Sequence, residues 1–293
     1  MFAIDDPTAA AVLPPPAAAG TPGFWTEGNP ATGVQATRVR ADFLNMLQQE
    51  LLNVVIAGGL TPSKTTYTQL RDSIKTLAAG HLVGIQIFTS SGTYTPTPGA
   101  TLARVRMVGG GGAGGGAPAT SASTVSAGLG GSGGAYSEFL ITSGLTSTSV
   151  TVGAAGTPTS GGTGGNGGNT SFGAYSTAAG GVGGAAAGPT GTAYIANTQS
   201  NNAVPAVAGA TKIFASPGQL PANSVVVLST SMFYSGQGAN SPYGVGGGGQ
   251  GAGVGGTGLG YGSGGGGSAS SFSTGARLGG TGAPGLVIVE EYA

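Results

Sequence analysis

The sequence predicts a mainly β protein with glycine-rich segments of polyglycine-II type, preceded by a short α-helical region and an extended arm. Three observations predict this fold class. Glycine and proline are abundant, with 63 and 17 of the 293 residues. Short runs of β pattern bracket the glycine tracts, as at residues 101–108. Charged residues are few and unevenly distributed: the chain has nine acidic and nine basic residues, and eleven of these eighteen precede residue 81.

Residues 1–33 are predicted to form an extended arm without a core of its own. They hold Pro14, Pro15, Pro16 and Pro30 among alanine, glycine and threonine. Proline-rich segments of this kind are extended and semi-rigid. Composition leaves two interpretations open, an anchoring arm that lies on another surface and a flexible tail.

Residues 34–81 are predicted to form two amphipathic helices, of which the second is shorter. The apolar stripe of the first helix keeps the three- and four-residue spacing of one helical face. Its members are Phe43, Leu44, Leu47, Leu51 and Val54. Two helices of this size are too small to enclose a core of their own. We therefore expect the stripe to pack on copies of the same chain, in a symmetric bundle, or on the neighbouring domain.

Residues 82–293 are predicted to form a glycine-rich β domain. Strand patterns recur between the glycine tracts, first at 82–88 and last at 285–292. The run at 101–108 alternates, so that Arg104 and Arg106 share one face of a strand while Val105 and Met107 share the other.

The glycine tracts themselves have two possible structures. They lie at residues 109–116, 128–134, 161–168, 180–184 and 244–267. Ordering glycine costs much backbone entropy, so such tracts either remain irregular or are held by dense hydrogen bonds between neighbouring segments. Polyglycine-II helices, with three residues per turn and no internal hydrogen bonds, provide the second solution.

The sequence repeat distinguishes polyglycine-II helices from irregular segments in only part of the tracts. The run Thr-Gly-Gly-Asn-Gly-Gly-Asn at 163–169 has the three-residue period of the polyglycine-II helix. The run at 251–262 is nearer to a two-residue period, which suits tight β stacking and loops equally well. We expect polyglycine-II packing, with irregular glycine loops or disorder as the alternative.

Composition and motifs argue against several classes of function. Balanced charge favours neither nucleic acid nor an anionic membrane as a partner. Cysteine is absent and His81 is the single histidine of the sequence, so we expect no metal site and no cofactor. Residues 251–256 match Gly-x-Gly-x-x-Gly, but chance matches are frequent in so glycine-rich a chain. Because no motif marks a catalytic group, we expect no enzyme activity.

The N-terminal sequence lacks the features of a signal peptide. Asp5 and Asp6 stand where a signal peptide has its basic region. The longest apolar run, at residues 51–60, is too short to cross a bilayer. We therefore expect synthesis in the cytoplasm without a signal peptide, and no membrane insertion.

Residues 189–243 are poorer in glycine and are predicted to be a variable recognition segment. Aromatic, asparagine and serine side chains make large contacts to sugars and proteins at low entropic cost. The candidate receptor-binding residues are Tyr194, Asn201, Lys212, Phe233, Tyr234 and Tyr243. The alternative is that these aromatic residues form a small core beneath the glycine segments.

Two parts of the sequence resemble the tail fibre proteins of tailed bacteriophages and prophages. Met-Phe-Ala-Ile-Asp-Asp-Pro-Thr-Ala at 1–9, Gly-Phe-Trp-Thr-Glu-Gly-Asn-Pro at 23–30 and Gln-Gln-Glu-Leu at 48–51 are similar to their attachment region. Phe-Thr-Ser-Ser-Gly-Thr-Tyr-Thr-Pro-Thr-Pro-Gly at 88–99 and Gly-Ala-Pro-Gly-Leu-Val-Ile-Val-Glu-Glu-Tyr at 282–292 resemble the glycine-rich domain at the ends of such fibres.

The resemblance implies a homotrimeric fibre, trimerised by the helical region. It implies that the N-terminus attaches to the tail tip or baseplate, for which Ile4, Phe24 and Trp25 are the candidate residues. The distal domain would then contact a bacterial surface receptor, a glycan or an outer-membrane protein, so that the protein would act in host adsorption as part of the virion tail. One alternative is a structural tail-tip or baseplate adaptor that docks another fibre. A hydrolytic spike is disfavoured, because such enzymes usually need paired carboxylates.

Overall fold

The computed structural model describes residues 2–78, 80–196, 200, 202–221, 225–229 and 232–293. The chain divides into two compact units, Met1–His81 and Leu82–Ala293. The helices lie in the first unit and the strands in the second, and the fold is mainly β, as the sequence predicts.

Two packed helices form the centre of the first unit, α1 (Ala41–Ala57) and α2 (Gln69–Leu77), after a single 3-10 turn at Pro30–Thr32. The Ser73 hydroxyl of α2 is buried and donates a 3.2 Å hydrogen bond to the carbonyl oxygen of Val55 in α1. The two helices predicted from the apolar spacing are therefore present, and the end of α1 is fixed against α2.

The N-terminal arm lies on α1 of its own unit. The backbone amide of Ile4 donates a 2.8 Å hydrogen bond to Oε1 of Gln48. Further along the arm, the Trp25 ring meets the Phe43 ring edge to face, with 5.2 Å between the ring centroids. The proline-rich segment between these contacts borders a groove with α1.

The second unit is built from short antiparallel strands. In the described residues these are β1 (Leu82–Phe88), β2 (Gly92–Tyr94), β3 (Leu102–Val108), β4 (Val125–Gly128), β5 (Tyr136–Ile141), β6 (Thr148–Thr151), β7 (Thr170–Phe172), β8 (Ser176–Ala178), β9 (Ala186–Thr190), β10 (Tyr194–Ala196), β11 (Thr211–Ser216), β12 (Val225–Ser229), β13 (Met232–Tyr234), β14 (Tyr243–Val245), β15 (Leu259–Tyr261), β16 (Ala269–Ser270) and β17 (Leu286–Tyr292). The largest sheet has the order β1-β17-β3-β5-β11.

The main core lies between this five-stranded sheet and the four-stranded sheet β2-β6-β7-β8. Tyr94 and Phe172 from the smaller sheet meet at 5.3 Å between ring centroids, and Phe139 of β5 packs on Phe172 at 6.2 Å. On β3, Val105 and Met107 are fully buried in this core. Arg104 and Arg106 lie on the other face, so the predicted alternation of β3 is confirmed.

The remaining small sheets flank the glycine tracts. They are β16-β4-β9, β10-β12-β13 and the hairpin β14-β15. Alanine and valine of β4, β9 and β16 form a second small core, on which Phe233 packs. These sheets therefore cover the sides of the glycine segments described next.

The glycine tracts pack around a central segment, residues 109–116. Its backbone amides donate hydrogen bonds of 2.8–3.0 Å, and every third amide donates to the same neighbour. Residues 109, 112 and 115 donate to segment 129–135, residues 110, 113 and 116 to segment 162–168, and residues 111 and 114 to segment 280–283. A three-residue period of this kind is that of the polyglycine-II helix.

Carbonyl oxygens of the same central segment accept from three further segments. Residues 110 and 113 accept from 181 and 184, residues 112 and 115 from 265 and 268, and residue 111 from 156. Among the described residues, six segments thus surround the central one, and the backbone hydrogen bonds of the central segment all go to these neighbours. This is the packing that the polyglycine-II prediction describes, and we call it the glycine lattice.

The Gly-Gly-Asn repeat at 163–169 lies at the outside of the lattice. Asn166 and Asn169 are exposed, and their Oδ1 atoms accept hydrogen bonds from the amides of Gly183 (2.9 Å) and Gly180 (3.0 Å). Within the lattice a neighbouring backbone carbonyl fills this role. The asparagines therefore complete the hydrogen bonding where the lattice ends.

The run at 251–262 contains both a lattice contact and a strand. Its two-residue repeat is compatible with β stacking and with loops. Gly255 and Gly258 donate to the carbonyl oxygens of Leu278 and Thr281, again at a three-residue step. Strand β15 follows at once and pairs with β14.

Candidate binding surface

The glycine lattice separates two ends of the second unit. The five-stranded sheet lies at one end, where Leu82 pairs with Tyr292, and β3 enters the lattice after Val108. The central segment leaves the lattice at Ala117, which bridges to Arg277. Eight residues of polyglycine-II helix, at about 3.1 Å each, place these two ends about 25 Å apart.

Four loops meet at the end away from the sheet, and we call them the distal loops. They comprise residues 117–124, 157–162, 188–193 and 270–278. The amide of Thr120 donates to the carbonyl oxygen of Thr274 at 2.9 Å, and that of Gly161 donates to Arg277 at 3.1 Å. Pairing of β9 with β4 brings the loop that follows β9 to the same end.

Hydroxyl side chains dominate the distal loops. They are Thr120, Ser121, Ser123, Thr124, Thr157, Thr159, Ser160, Thr190, Thr192, Ser270, Ser271, Ser273 and Thr274. Phe272 is an exposed aromatic residue among them, and Arg277 is the charged residue of these four loops. Such a surface donates and accepts hydrogen bonds without carboxylates of its own, and it suits polar ligands.

The residues predicted for receptor binding lie at both ends of the lattice. At the sheet end, Lys212 is exposed on β11, whereas Tyr243 is half-buried with its ring 6.1 Å from that of Tyr136. Tyr243 thus packs as the core alternative expects. Asn201 and the side chain of Tyr194 lie outside the described residues.

Two predicted residues lie towards the distal loops. Phe233 is half-buried and packs on the core of β4, β9 and β16, while Tyr234 is 59% exposed. Tyr234 is therefore the predicted aromatic residue that is both exposed and near the distal loops. The loops at 117–124, 157–162 and 270–278 lie outside the predicted segment, although clusters of serine and threonine interrupt the glycine tracts there.

An ion network occupies the open face of the five-stranded sheet. Nε of Arg104 on β3 donates a 2.7 Å hydrogen bond to Glu138 on β5, and Arg106 pairs with Glu290 on β17. Burial raises the pKa of Glu138, but the hydrogen bonds from Arg104 and Tyr136 outweigh it, so this pKa lies below its ordinary value. Four of the few charges of this unit thus stabilise the sheet itself.

Glu291 is fully buried at the edge of the main core. Its carboxylate accepts hydrogen bonds from the Tyr94 hydroxyl (2.8 Å), from the amide and hydroxyl of Thr97 (2.8 and 2.6 Å) and from Gln86 (3.2 Å). Burial raises the pKa of Glu291, yet these donors more than compensate, so its pKa is lowered. The group joins β17 to the segment after β2, which is a structural role.

The described residues lack both metal-binding clusters and membrane-spanning helices. They contain no cluster of three or more His, Cys, Asp or Glu side chains with the geometry to hold a metal ion. None of their helices combines the length and the apolar character needed to cross a membrane. His81 Nδ1 lies 2.6 Å from the Ala78 carbonyl oxygen, at the end of the helical unit.

Apolar side chains are also exposed on the first unit. On α1, Phe43, Leu44 and Leu47 of the predicted stripe are exposed, whereas Leu51 and Val54 are half-buried. On the arm, the predicted attachment residues Ile4, Phe24 and Trp25 are exposed, Phe24 almost completely at 98%. Exposed apolar residues grouped in this way are typical of surfaces that bind other proteins.

A β sandwich continued by packed glycine helices defines the second unit as a glycine-rich structural domain. The chain belongs to the Glycine-rich domain family, whose model matches residues 89–292. It is also similar to the uncharacterized protein StfP of Escherichia coli K12, with 44% identity over 59 residues. That match covers 20% of this chain and 28% of StfP, so the chain spans little more than a quarter of this relative.

Proposed function

We propose that this protein is a bacteriophage or prophage tail fibre, part of the virion tail, that adsorbs to the bacterial surface as a homotrimer. The observation that carries the proposal is the glycine lattice. Because each glycine helix bonds to several neighbours, the lattice is a stiff spacer between a sheet and a set of loops. Such a spacer is suited to holding a binding surface at a fixed distance from its support.

Attachment to the tail tip or baseplate is assigned to the arm of the first unit. This part of the sequence resembles the attachment region of tail fibres, and the arm exposes Ile4, Phe24 and Trp25. Apolar residues of this size are costly to leave in water, so their burial against a partner is favourable.

Trimerisation is assigned to α1. Its exposed stripe, Phe43, Leu44 and Leu47, with Leu51 and Val54 beside it, has the spacing of a helix that packs on copies of itself. Three linked chains would bind a bacterial surface with avidity, since weak sites held together act at high effective concentration. Adsorption of this kind requires no catalysis, and we assign none.

Receptor binding is assigned to the distal loops, with Tyr234 beside them. The receptor would be a glycan or an outer-membrane protein, because hydroxyls and an exposed aromatic ring suit either. The experiment is binding of the fluorescently labelled full-length protein to host cells, with its stoichiometry measured by sedimentation in the same buffer. Saturable binding by a trimer is the expected result.

Two variants make this experiment specific. Tyr234→Ala is expected to weaken cell binding without changing the trimer. Tyr67→Ala is the matched control, because Tyr67 is a fully exposed tyrosine of the first unit. If the folded trimer ignores cells, receptor binding is wrong, and the alternative of a structural adaptor that docks another fibre takes its place.

A further inference from the structure

We propose that the distal loops recognise the anionic groups, carboxylate or phosphate, of a surface polysaccharide, and that Arg277 is the residue that binds them. The inference rests on the proposed adsorption function and names the class of ligand. Arg277 lies where the lattice ends, since its backbone bridges to Ala117 and accepts a 3.1 Å hydrogen bond from the amide of Gly161.

The first support is the state of the Arg277 guanidinium. Its Nε atom is shielded from solvent and has no hydrogen-bond partner among the described residues, although the residue as a whole is partly exposed. The Nε atom of Arg106 is in the same state, but Arg104 and Arg106 both form ion pairs with glutamates of the sheet, whereas Arg277 forms no ion pair with the described residues. A partly exposed guanidinium without a carboxylate partner is available to pair with an anionic ligand.

The second support is the charge distribution along the unit. From residue 82 onward the sequence contains three acidic residues, Glu138, Glu290 and Glu291. All three lie on strands β5 and β17, about 25 Å of lattice away from the distal loops. No acidic residue of the second unit therefore lies at the distal end to compensate the positive charge of Arg277, and charges at that separation are screened from each other in physiological salt.

The third support is the composition around Arg277. The neighbouring loops offer hydroxyls, such as Thr159 and Ser160, and one exposed aromatic ring, Phe272. A planar guanidinium binds carboxylate or phosphate through paired hydrogen bonds, while hydroxyls serve the neutral positions of a sugar. Together these groups fit an acidic glycan better than a neutral one.

The test measures binding of the full-length protein to three polymers. Polygalacturonate carries carboxylates, a phosphomannan carries phosphates, and carboxyl-reduced polygalacturonate is the neutral counterpart. We expect binding to at least one anionic polymer, and the tighter of the two identifies the group. Arg277→Gln should weaken this binding by about tenfold or more, the loss of a charged hydrogen bond, and Arg277→Lys should restore part of it.

Arg38→Gln is the matched control, because Arg38 is an exposed arginine of the first unit. It should leave binding unchanged. Inorganic phosphate should compete with the polymer on the wild-type protein, which tests the site even if Arg277→Gln is poorly folded. Equal binding by the wild type and a folded Arg277→Gln protein, or equal binding of the neutral polymer, would overturn the inference.

The outcomes also separate this inference from the proposed function. Suppose that the wild type and Arg277→Gln bind host cells equally well and that neither protein binds an anionic polymer. The proposal of an anionic ligand is then wrong, and the proposed adsorption function stands. If a folded trimer binds neither cells nor polymers, adsorption itself is wrong.

Discussion

Gly111 packs so closely against the carbonyl group of Ser263 that no Cβ fits between them. The contact joins the central segment of the lattice to one of its neighbours. Gly111→Ala should therefore force two segments apart and destabilise the second unit by about 1–3 kcal/mol, as overpacking does in other interiors.

Calorimetric unfolding of the full-length protein measures this effect. Gly248→Ala is the matched control, because Gly248 lies in a glycine tract with open space where its Cβ would be. Equal unfolding temperatures for the two variants would contradict close packing of the lattice.

Asn169 closes the edge of the lattice through a 3.0 Å hydrogen bond from the amide of Gly180. Replacing Asn169 by alanine leaves that amide to water, which should cost about 1 kcal/mol and speed its hydrogen exchange. Thr163→Ala is the control, since Thr163 occupies the same three-residue repeat and its side chain makes no hydrogen bond to the described residues. Unchanged exchange at Gly180 in Asn169→Ala would show that the asparagine does not hold the edge.

Local pattern was enough to predict the parts of this fold that depend on nearby residues. The alternation of Arg104 and Val105 gave the two faces of β3, and the Gly-Gly-Asn repeat indicated the three-residue period of the lattice. Both follow from the geometry of a single strand or helix, so the neighbouring chain segments need not be known.

Long-range pairing could not be predicted in the same way. Strand β17 pairs with β1 and β3, which places Glu290 beside Arg106 although 184 residues separate them. The distal loops are likewise brought together from four separate parts of the chain by the lattice. The spacing of residues along the sequence does not reveal which distant segments pair, and the predicted recognition segment, 189–243, therefore includes only part of one distal loop, 188–193.

Acid should destabilise the second unit through Glu291. Its pKa in the folded protein lies below the unfolded value of about 4.3, so its stabilising effect is complete above that value and is lost as the pH falls through the folded pKa. Denaturant unfolding between pH 6 and pH 3 measures the slope. Glu291→Gln should be less stable at pH 6, because an amide accepts fewer of the surrounding donors, and its stability should change less with pH.

Glu27→Gln is the control for this series, since Glu27 is exposed on the arm of the first unit. It should reproduce the wild-type pH dependence. A steep acid slope that persists unchanged in Glu291→Gln would assign the acid sensitivity to other carboxylates, among them Glu138, whose pKa is also lowered.

The proposed trimer interface on α1 can be tested directly by placing a charge in its apolar stripe. Leu47 is exposed in the single chain, so an aspartate there would cost the isolated helix little. In a trimer the same aspartate would bury three like charges in one apolar interface, which is strongly unfavourable. Leu47→Asp should therefore sediment as a folded monomer, whereas Gln49→Asp, on the opposite side of α1, should remain a trimer. If Leu47→Asp still sediments as a trimer, the assembly rests on another surface, and the stripe of α1 is free to bind the tail instead.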